Sequence, residues 1–296
     1  MTGALERPLP PLNDAEGERI PEGLNGVVDA HVHLFPDELY ASIWEWFRRH
    51  GWPIRYRLTA PQVVEFLLGR GIRHVVGLQY AHKPGVARRL NRFMADLCRQ
   101  YPQLTGLASV LPGEEGAAEI LQEAFSEGLS GVKLHAHVQC FDMDSPGMHA
   151  VYAACRSAGK PLVMHVGREP KSPAYDCDPY ELCSAERLER VLKEYPGLRV
   201  CVPHLGADEF QAYADLLERY DTLWLDTTMM LADYLPIRNL PALTALRADR
   251  VMYGTDFPHI PYAWDRELKR LAAMGLPEGL LGRILGENAA EFFGLG

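Results

Sequence analysis

The 296-residue sequence predicts an α/β protein whose strands close into a barrel of the (β/α)8 type. Eight short apolar runs alternate with segments of helical periodicity. The runs are almost continuously apolar, as expected of parallel strands that are buried on both faces. An open doubly wound sheet is the alternative, but it usually carries a glycine-rich phosphate-binding turn after its first strand. This chain has His31-Val32-His33 there instead, which favours the barrel.

The strands and helices are predicted to follow one another in strict alternation. The expected strands are Val27–His33, His74–Leu78, Leu104–Val110, Gly131–His137, Pro161–His165, Leu198–Pro203, Leu223–Asp226 and Val251–Gly254. The expected helices are Pro61–Leu68, Val86–Arg99, Ala117–Phe125, Met148–Ala158, Ala185–Glu194, Glu209–Tyr220, Ile237–Leu246, Trp264–Met274 and a final helix near Gly279–Phe293. Thr59 provides an N-cap for the first of these helices, and the second has its apolar residues on one face.

The domain organisation is expected to be simple. Residues 1–24 are rich in proline and polar side chains, which predicts an extended N-terminal arm, and residues 25–296 are expected to form a single barrel domain. Residues 35–58 follow the first strand and carry many aromatic side chains. Because loops after strands lie at the catalytic face of such barrels, this insertion is predicted to cover a substrate pocket or to form a subunit contact.

Composition and charge exclude several classes of function. The formal net charge is −9 and the arginines are scattered, which argues against a nucleic-acid surface. No apolar run reaches the ~20 residues that a membrane span needs, and the N-terminal segment lacks the apolar core of a signal peptide. We therefore expect a cytoplasmic protein that acts on a small molecule and could form a homodimer.

Several strand ends carry side chains that can ligate a metal ion. Asp29, His31 and His33 share one face of the first strand because residues alternate in direction along a strand. His165 ends the fifth strand, and Asp256 follows the eighth, which lies beside the first in a closed barrel. A lone histidine at a strand end is more often a hydrogen-bonded core residue. Taken together, three imidazoles and one carboxylate predict a single divalent metal, best suited to Zn²⁺ and compatible with Mn²⁺, Fe²⁺, Co²⁺ or Ni²⁺.

The motifs VDAHVH, GVKLH, VMHVG, PHLG and YGTDFPH, followed by GENAAEFFG, resemble those of the amidohydrolase superfamily. They are most similar to the amidohydrolase-related branch of aminocarboxymuconate-semialdehyde decarboxylase-like enzymes, which contains aromatic-acid decarboxylases and lactonases. The resemblance extends from Val28 to Phe293. It implies a TIM barrel with a divalent metal at its mouth. The implied ligands are His31, His33, His165 and Asp256, and the implied catalytic histidine is His204.

Lys133 leaves the number of metal ions open. Dinuclear members of the superfamily bridge two ions with a carboxylated lysine on the fourth strand, whereas the branch that this chain resembles usually holds one ion. We therefore favour one metal and assign Lys133 and His135 to substrate binding. The alternative for Lys133 is a buried ion pair inside the barrel. His137 has the same strand parity and receives no role.

The expected activity is hydrolysis of an amide, lactone or ester of a small, carboxylate-bearing molecule by metal-activated water. In this hypothesis Asp256 transfers the proton and His204 stabilises the developing oxyanion. The alternative is non-oxidative, metal-dependent decarboxylation of an unsaturated or aromatic acid. Arg168, three residues after His165, is predicted to bind the substrate carboxylate, because a guanidinium pairs with carboxylates in a bidentate manner. A barrel without catalytic activity is a third class, and the full set of expected site residues argues against it.

Overall fold

Eight parallel strands form a barrel in the computed structural model, which describes residues 14–169, 172, 174–237 and 239–296. The strands are β1 (Val28–His33), β2 (His74–Leu78), β3 (Leu104–Gly106), β4 (Val132–His135), β5 (Leu162–His165), β6 (Val200–Val202), β7 (Leu223–Asp226) and β8 (Val251–Met252). Each strand pairs with its neighbours in sequence, β1 to β3 in one sheet and β4 to β8 in another. The strand residues are almost all buried, which explains their near-continuous apolar character.

Backbone hydrogen bonds join the two sheets into a closed barrel. The amide of Lys133 donates to the carbonyl of Ala108 at 2.8 Å, which connects the end of β3 to β4. On the other side, the amide of His33 donates to the carbonyl of Phe257 at 2.8 Å, and the amide of Asp256 donates to the carbonyl of His31 at 2.9 Å. These last two bonds bring the segment after β8 against β1. The predicted (β/α)8 barrel is thereby confirmed.

Helices surround this barrel. They are α1 (Asp37–His50), α2 (Ala60–Gly69), α3 (Ala87–Gln100), α4 (Ala117–Ser126), α5 (Ala136–Gln139), α6 (Pro146–Ala158), α7 (Pro179–Leu182), α8 (Ala185–Glu194), α9 (Phe210–Arg219), α10 (Arg266–Ala273), α11 (Glu278–Gly282) and α12 (Asn288–Phe293). A π-helical turn, Arg283–Glu287, connects the last two. Local sequence sets several boundaries: the hydroxyl of Ser145 caps the start of α6, and Gly159, with φ of 63°, ends it. None of the described helices is long and apolar enough to cross a membrane.

Several elements differ from the predictions, including β3, which ends at Gly106 rather than Val110. Residues 237–246 form only a 3₁₀ turn, Leu243–Ala245, among the residues described there, because Pro241 cannot donate a helical hydrogen bond and disfavours helix at the preceding residue. The aromatic insertion contains α1, which begins after Pro36 and has acidic residues in its first turn and basic residues in its last. β4 ends at His135, because the next residues turn into α5.

The described part of the predicted N-terminal arm lies against the loop that follows β8. The carboxylate of Asp14 accepts hydrogen bonds from Arg55 at 2.6 Å and from the amide of Ala263 at 2.8 Å. The amide of Gly17 donates to Asp265 at 2.8 Å. Residues 1–13 of the arm lie outside the described residues, and the division into an arm and a barrel domain stays a prediction.

The two ends of the barrel differ in chemistry. The N-terminal end is closed by α12, where Phe292 packs against Trp224 with 5.0 Å between the ring centroids. The carbonyl of Phe292 also accepts a hydrogen bond at 2.7 Å from Arg199, which immediately precedes β6. The C-terminal ends of β1 and β5 instead carry histidines. Functional side chains therefore gather at the C-terminal end, as in other barrels of this type.

Gly254 allows the segment after β8 to approach β1 closely, and we expect Gly254→Ala to destabilise the protein. A Cβ atom at this position would lie 2.6 Å from the Thr228 hydroxyl oxygen and 2.7 Å from the His31 Cβ. Such overpacking typically lowers the free energy of unfolding by about 1–3 kcal/mol. Urea denaturation measures this change. The control is Gly279→Ala in α11, where a Cβ meets nothing within 4 Å and the higher helix propensity of alanine should leave the protein equally stable or more stable by up to about 1 kcal/mol. Equal stability of the two variants would contradict this close approach.

Candidate active site at the mouth of the barrel

His31, His33 and Asp256 form one compact group at the mouth of the barrel. Asp256 Oδ1 lies 3.0 Å from His33 Nε2 and 3.3 Å from His31 Nε2. The ring centroids of the two histidines are 5.2 Å apart, which is the side-by-side placement expected from their spacing in β1. All three residues are buried, and their ligand atoms lie within 4.8 Å of one another. The structure therefore brings together three of the four predicted metal ligands.

The hydrogen bonds of this group leave lone pairs that are directed at one another, an arrangement that suits a bound metal cation. His31 Nδ1 lies 2.9 Å from the Asp226 carboxylate, so this nitrogen carries the proton and donates it. His31 Nε2 then presents a lone pair to a carboxylate oxygen of Asp256 only 3.3 Å away. Two lone pairs at that distance repel each other unless a cation lies close to both, and either the Lys133 ammonium, 3.4 Å from His31 Nε2, or a bound metal ion can supply that charge. Ligand atoms about 2.0–2.1 Å from a tetrahedral ion are themselves about 3.3 Å apart, so the spacing suits a divalent metal.

The electrostatic environment keeps His31 and Asp256 in the protonation states that a metal requires. Burial, reinforced by the nearby charge of Lys133, lowers the pKa of His31 to about 3, so its imidazole is neutral near pH 7. Burial acts to raise the pKa of Asp256, but the imidazoles of His33 and His31 outweigh it and hold that pKa well below its usual value. Neutral imidazoles and an ionised carboxylate are the forms that ligate metal ions.

Asp226, at the end of β7, fixes the orientation of this group. Its Oδ2 accepts the proton of His31 Nδ1, and its Oδ1 accepts hydrogen bonds from the amides of His204 at 3.1 Å and Thr228 at 3.2 Å. A carboxylate that binds the second nitrogen of a ligand histidine sets its tautomer and ring direction. The sequence interpretation assigned Asp226 no role, although a buried carboxylate at a strand end is the same signal that identified the other residues.

The two predicted catalytic residues both have a left-handed backbone. His204 has φ of 58° and Asp256 has φ of 70°, a conformation that non-glycine residues adopt only where the surrounding structure imposes it. His204 Nδ1 lies 2.9 Å from the carbonyl of Thr228, which accepts its proton. The Nε2 atom is therefore the nitrogen of His204 that is suited to exchange a proton, and His204 lines the cavity described below.

Lys133 lies beneath the group rather than in the substrate cavity. Its Nζ is 3.4 Å from His31 Nε2, and the residue is completely buried. Burial lowers the pKa of Lys133 to about 8, while the carboxylates of Asp226 and Asp256 act to raise it. The polar contact of Lys133 is thus with a histidine and not with a carboxylate, and the buried ion pair that was the alternative stays a prediction. The predicted contact of Lys133 with substrate has no support from its position, because Lys133 is not among the residues that line the cavity.

His165, the fourth predicted ligand, lies in a separate group. Its Nε2 is 2.6 Å from the Glu169 carboxylate, and Glu169 also lies 3.4 Å from His137 Nδ1. The ligand atoms of His137, His165 and Glu169 are within 4.8 Å of one another. The ring of His165 is stacked on that of His135 at 4.0 Å and lies 4.6 Å from that of His204. The role of His165 as a ligand of the first group stays a prediction.

A cavity of about 530 Å³ opens above these groups. This volume lies within the range of small-molecule sites, about 300–1,000 Å³. Its walls are strongly aromatic, and the insertion after β1 contributes three of the rings. The aromatic residues are Trp46, Phe47, Trp52, Tyr80, Tyr175 and Phe210, and the site residues that reach the cavity are His33, His135, His165, Glu169, His204, Asp256 and His259. No lysine or arginine occurs among the lining residues in the part of the chain that the structure describes.

Arg168 is directed away from this cavity. Its Nε donates to the carbonyl of Cys183 at 2.8 Å, its Nη1 lies 3.6 Å from Glu209, and its guanidinium lies over the ring of Tyr180. Proximity to His165 in sequence suggested a substrate contact. The contacts observed hold Arg168 between loops instead, so the predicted carboxylate clamp has no support from its position.

Sequence reasoning also missed three residues that line the cavity. Glu169 could have been noticed as a carboxylate four residues after a strand-end histidine. His259, in the motif TDFPH, is stacked on His33 with 5.2 Å between the ring centroids. Tyr80, two residues after β2, lies edge-on to both His33 and His135. Each follows a strand end at the same face of the barrel, which is the positional signal that they share.

Solved structures of similar proteins share this fold. The protein is similar to an uncharacterised TIM-barrel protein from Bordetella bronchiseptica, with 22% identity over 91% of this chain and 98% of that one and a TM-score of 0.68. It is similar to 5-carboxyvanillate decarboxylase from Novosphingobium aromaticivorans complexed with manganese and 4-hydroxy-3-methoxy-5-nitrobenzoic acid, with 19% identity, coverage of 96% and 100% and a TM-score of 0.65. A 2,6-dihydroxybenzoate decarboxylase from Rhizobium has 18% identity, coverage of 92% and 99% and a TM-score of 0.62.

A comparison with curated proteins found no match. The family model described as Amidohydrolase, in contrast, matches residues 28–295. That range contains all eight strands and every residue of the candidate site. On this evidence, the protein belongs to the amidohydrolase family.

Proposed function

We propose that this protein catalyses the metal-dependent, non-oxidative decarboxylation of an aromatic or unsaturated carboxylic acid. The observation that carries the proposal is the group formed by His31, His33 and Asp256, of which His33 and Asp256 reach the aromatic cavity. A cavity of about 530 Å³ with aromatic walls suits a planar single-ring molecule. In this proposal a planar substrate lies between the aromatic walls of the cavity and reacts next to the cation site formed by His31, His33 and Asp256.

The similar structures support decarboxylation over hydrolysis, which was the main expectation from the sequence. Two of the three described above are decarboxylases of substituted benzoates, and one was crystallised with manganese and a nitrobenzoic acid. At identities of 18–19% these structures show that the fold is shared. We infer the type of reaction from them by analogy. The site in hand is compatible with that analogy because it contains both a cation site and candidate proton carriers.

His31, His33 and Asp256 would hold one divalent ion. Two imidazoles and one carboxylate leave coordination positions for substrate and suit zinc, and manganese is the metal named for the similar carboxyvanillate decarboxylase. When bound, such an ion withdraws electrons from the oxygen atoms of the substrate and so stabilises negative charge that develops on the ring. The other steps are carried out by side chains.

The chain supplies the proton that the reaction needs. In the proposed reaction the bond between the ring carbon and the carboxylate breaks, carbon dioxide leaves, and the electron pair left on the ring carbon takes up a proton. His204 is suited to deliver it, because Nδ1 is held by the Thr228 carbonyl and Nε2 remains for exchange. Asp256, which also reaches the cavity, is the second proton carrier that we propose. The rings of Trp46 and Tyr175, 5.7 Å apart, would shield the substrate from water.

Release of labelled carbon dioxide tests this proposal. The purified protein, loaded with zinc or manganese, is incubated with hydroxylated benzoates labelled at the carboxyl carbon. We expect release of ¹³CO₂ from at least one of them, a loss of about 100-fold or more after chelation, and recovery when the metal is returned. Arg168→Ala should retain the activity of the unmodified protein, since its guanidinium contacts Cys183 and Glu209 rather than the cavity.

Hydrolysis is the second candidate, and the family match to amidohydrolases favours it. The same three ligands could activate water, with His204 next to the reacting group. A parallel assay with aryl esters and lactones distinguishes the two reactions. Metal-dependent hydrolysis of these compounds without any release of carbon dioxide from the acids would replace decarboxylation by hydrolysis as the function.

A further inference from the structure

Cys140 and Cys177 lie together near the cavity although they are far apart in the sequence. Cys140 caps the end of α5, and Cys177 belongs to the loop after β5. Cys177 Sγ donates to the carbonyl oxygen of His137 at 3.5 Å, and Cys140 Sγ donates to the same oxygen at 3.9 Å. Two segments of the chain thus direct two thiols at one acceptor. Neither thiol has a part in the proposed reaction, since neither residue lines the cavity.

The two thiols differ in accessibility and in protonation. Cys140 is exposed, whereas Cys177 is half-buried. Burial, reinforced by the neighbouring thiol of Cys140 and by the carboxylates of Asp176 and Asp178, raises the pKa of Cys177 to about 12. Cys177 therefore keeps its proton near pH 7. Cys140 is the sulfur that a dissolved oxidant reaches first.

A redox pair suits these thiols better than a metal site does. A structural zinc ion takes about four protein ligands. Among the residues that the structure describes, the groups of three or more ligand-type side chains contain no cysteine. Three of the other cysteines, Cys155, Cys183 and Cys201, are buried and so are out of reach of a dissolved oxidant.

We propose that Cys140 and Cys177 are a modification site, where they form a reversible disulfide that links α5 to the loop after β5. A disulfide requires the two sulfurs to approach to about 2.05 Å. Both sulfurs already face the carbonyl of His137, so rotation of the two side chains is the movement that closes this distance.

Hydrogen peroxide is the oxidant class that this pair would use. The thiolate of Cys140 attacks one peroxide oxygen, the O–O bond breaks, and the hydroxide that leaves takes up the former thiol proton as water. Cys140 is then a sulfenic acid. The sulfur of Cys177 attacks the Cys140 sulfur, and the displaced hydroxide leaves with the Cys177 proton as a second water. Two thiols are oxidised by two electrons, one peroxide is reduced, and a dithiol reverses the change.

The disulfide would restrain one wall of the cavity. Tyr175, two residues before Cys177, lines the cavity. Its ring lies 5.7 Å from that of Trp46 and 5.5 Å from that of His137. A covalent link between Cys177 and the end of α5 would therefore limit the movement of this aromatic contact. The link does not depend on whether the reaction is decarboxylation or hydrolysis.

Peptide mapping tests the disulfide without any assay of activity. The full chain is reduced with a dithiol, desalted, treated with hydrogen peroxide under native conditions, alkylated and digested for mass spectrometry. We expect one linked peptide pair that contains Cys140 and Cys177, with loss of alkylation at both and its return after a dithiol. Hydrogen–deuterium exchange around Tyr175 should be several-fold slower in the oxidised protein.

Three variants make this result specific. Cys140→Ser should give no linked peptide and leave Cys177 alkylated. Cys177→Ser should stop at the sulfenic acid of Cys140, which dimedone labels. Cys98→Ser removes a half-buried cysteine on α3 and should form the link like the unmodified protein. Circular dichroism verifies that each variant is folded. Full alkylation of both thiols after peroxide, or a link through another cysteine, would overturn the proposal, and unchanged exchange around Tyr175 would refute the restraint.

Discussion

Asp256→Asn is expected to lower kcat by at least about 10³-fold and to weaken metal binding in the first group. Asp256 Oδ1 faces both His33 Nε2 at 3.0 Å and His31 Nε2 at 3.3 Å, so it is the one anionic member of that group. An amide of the same shape removes the negative charge that balances the cation. It also removes one of the two proton carriers, and loss of a positioned acid or base alone typically costs about 10²–10⁴-fold. Turnover and metal content per chain are the two quantities to measure.

The fold should survive this substitution. The backbone amide of Asp256 donates to the carbonyl of His31, and this bond does not involve the side chain. We therefore expect an unchanged far-UV circular dichroism spectrum. Asp208→Asn, the substitution of an exposed carboxylate at the same cavity, is the matched control and should leave turnover within a few-fold of the unmodified protein. Full metal content and full turnover in Asp256→Asn would remove Asp256 from the active site.

His204→Asn is expected to lower kcat by about 10²–10⁴-fold while the bound metal is retained. The two candidate metal groups among the described residues do not include His204, whose Nδ1 instead donates to the carbonyl of Thr228. An asparagine amide can donate to the same carbonyl, so the local backbone should keep its conformation. What the variant loses is the Nε2 atom that we assign to proton transfer.

Metal content distinguishes the possible roles of His204. If it transfers a proton, turnover falls and the number of ions per chain stays the same. Loss of an ion together with turnover would identify His204 as a ligand, and unchanged turnover would exclude it from the reaction. Partial recovery of His204→Ala by added imidazole would give independent support, because the free base can replace the missing ring.

The sequence was sufficient to predict the barrel and the clustering of His31, His33 and Asp256 at its mouth. Apolar runs in alternation with helical segments defined all eight strands to within a few residues. The placement of His31, His33 and Asp256 followed from two general rules, the alternation of side chains along β1 and the adjacency of the first and last strands in a closed barrel. Both rules follow from the regular backbone geometry of strands, and the alternation of apolar runs and helical segments in the sequence reveals where those strands lie.

Positions in loops could not be predicted in the same way. Arg168 and Glu169 are neighbours in sequence, yet Arg168 contacts Glu209 while Glu169 contacts His165. Their directions depend on the path of the loop, which forms a bridge between Arg168 and Ala207. His137 was placed by extending the parity of β4, but the strand ends at His135 and a helical turn carries His137 to Glu169. Tertiary packing, rather than local periodicity, sets these contacts.

The predicted helix over residues 237–246 failed for a related reason. Its apolar spacing suits a helix, but Pro241 interrupts it and Asn239 adopts φ of 58°. Ile237 and Asn239 of this segment reach the cavity, next to Leu235 from the preceding residues. The proline and the left-handed asparagine outweigh the apolar periodicity and prevent a regular helix. The resulting irregular segment at the mouth of the barrel contributes to the cavity.

Anomalous diffraction from crystals of the zinc- or manganese-loaded protein is the most direct test of the central claim, that strand ends distant in sequence build one metal centre. Data recorded on both sides of the metal absorption edge should give a peak about 2.0–2.2 Å from His31 Nε2, His33 Nε2 and an oxygen of Asp256. A fully loaded crystal without density between these three side chains, or with its ion bound elsewhere on the chain, would contradict the account.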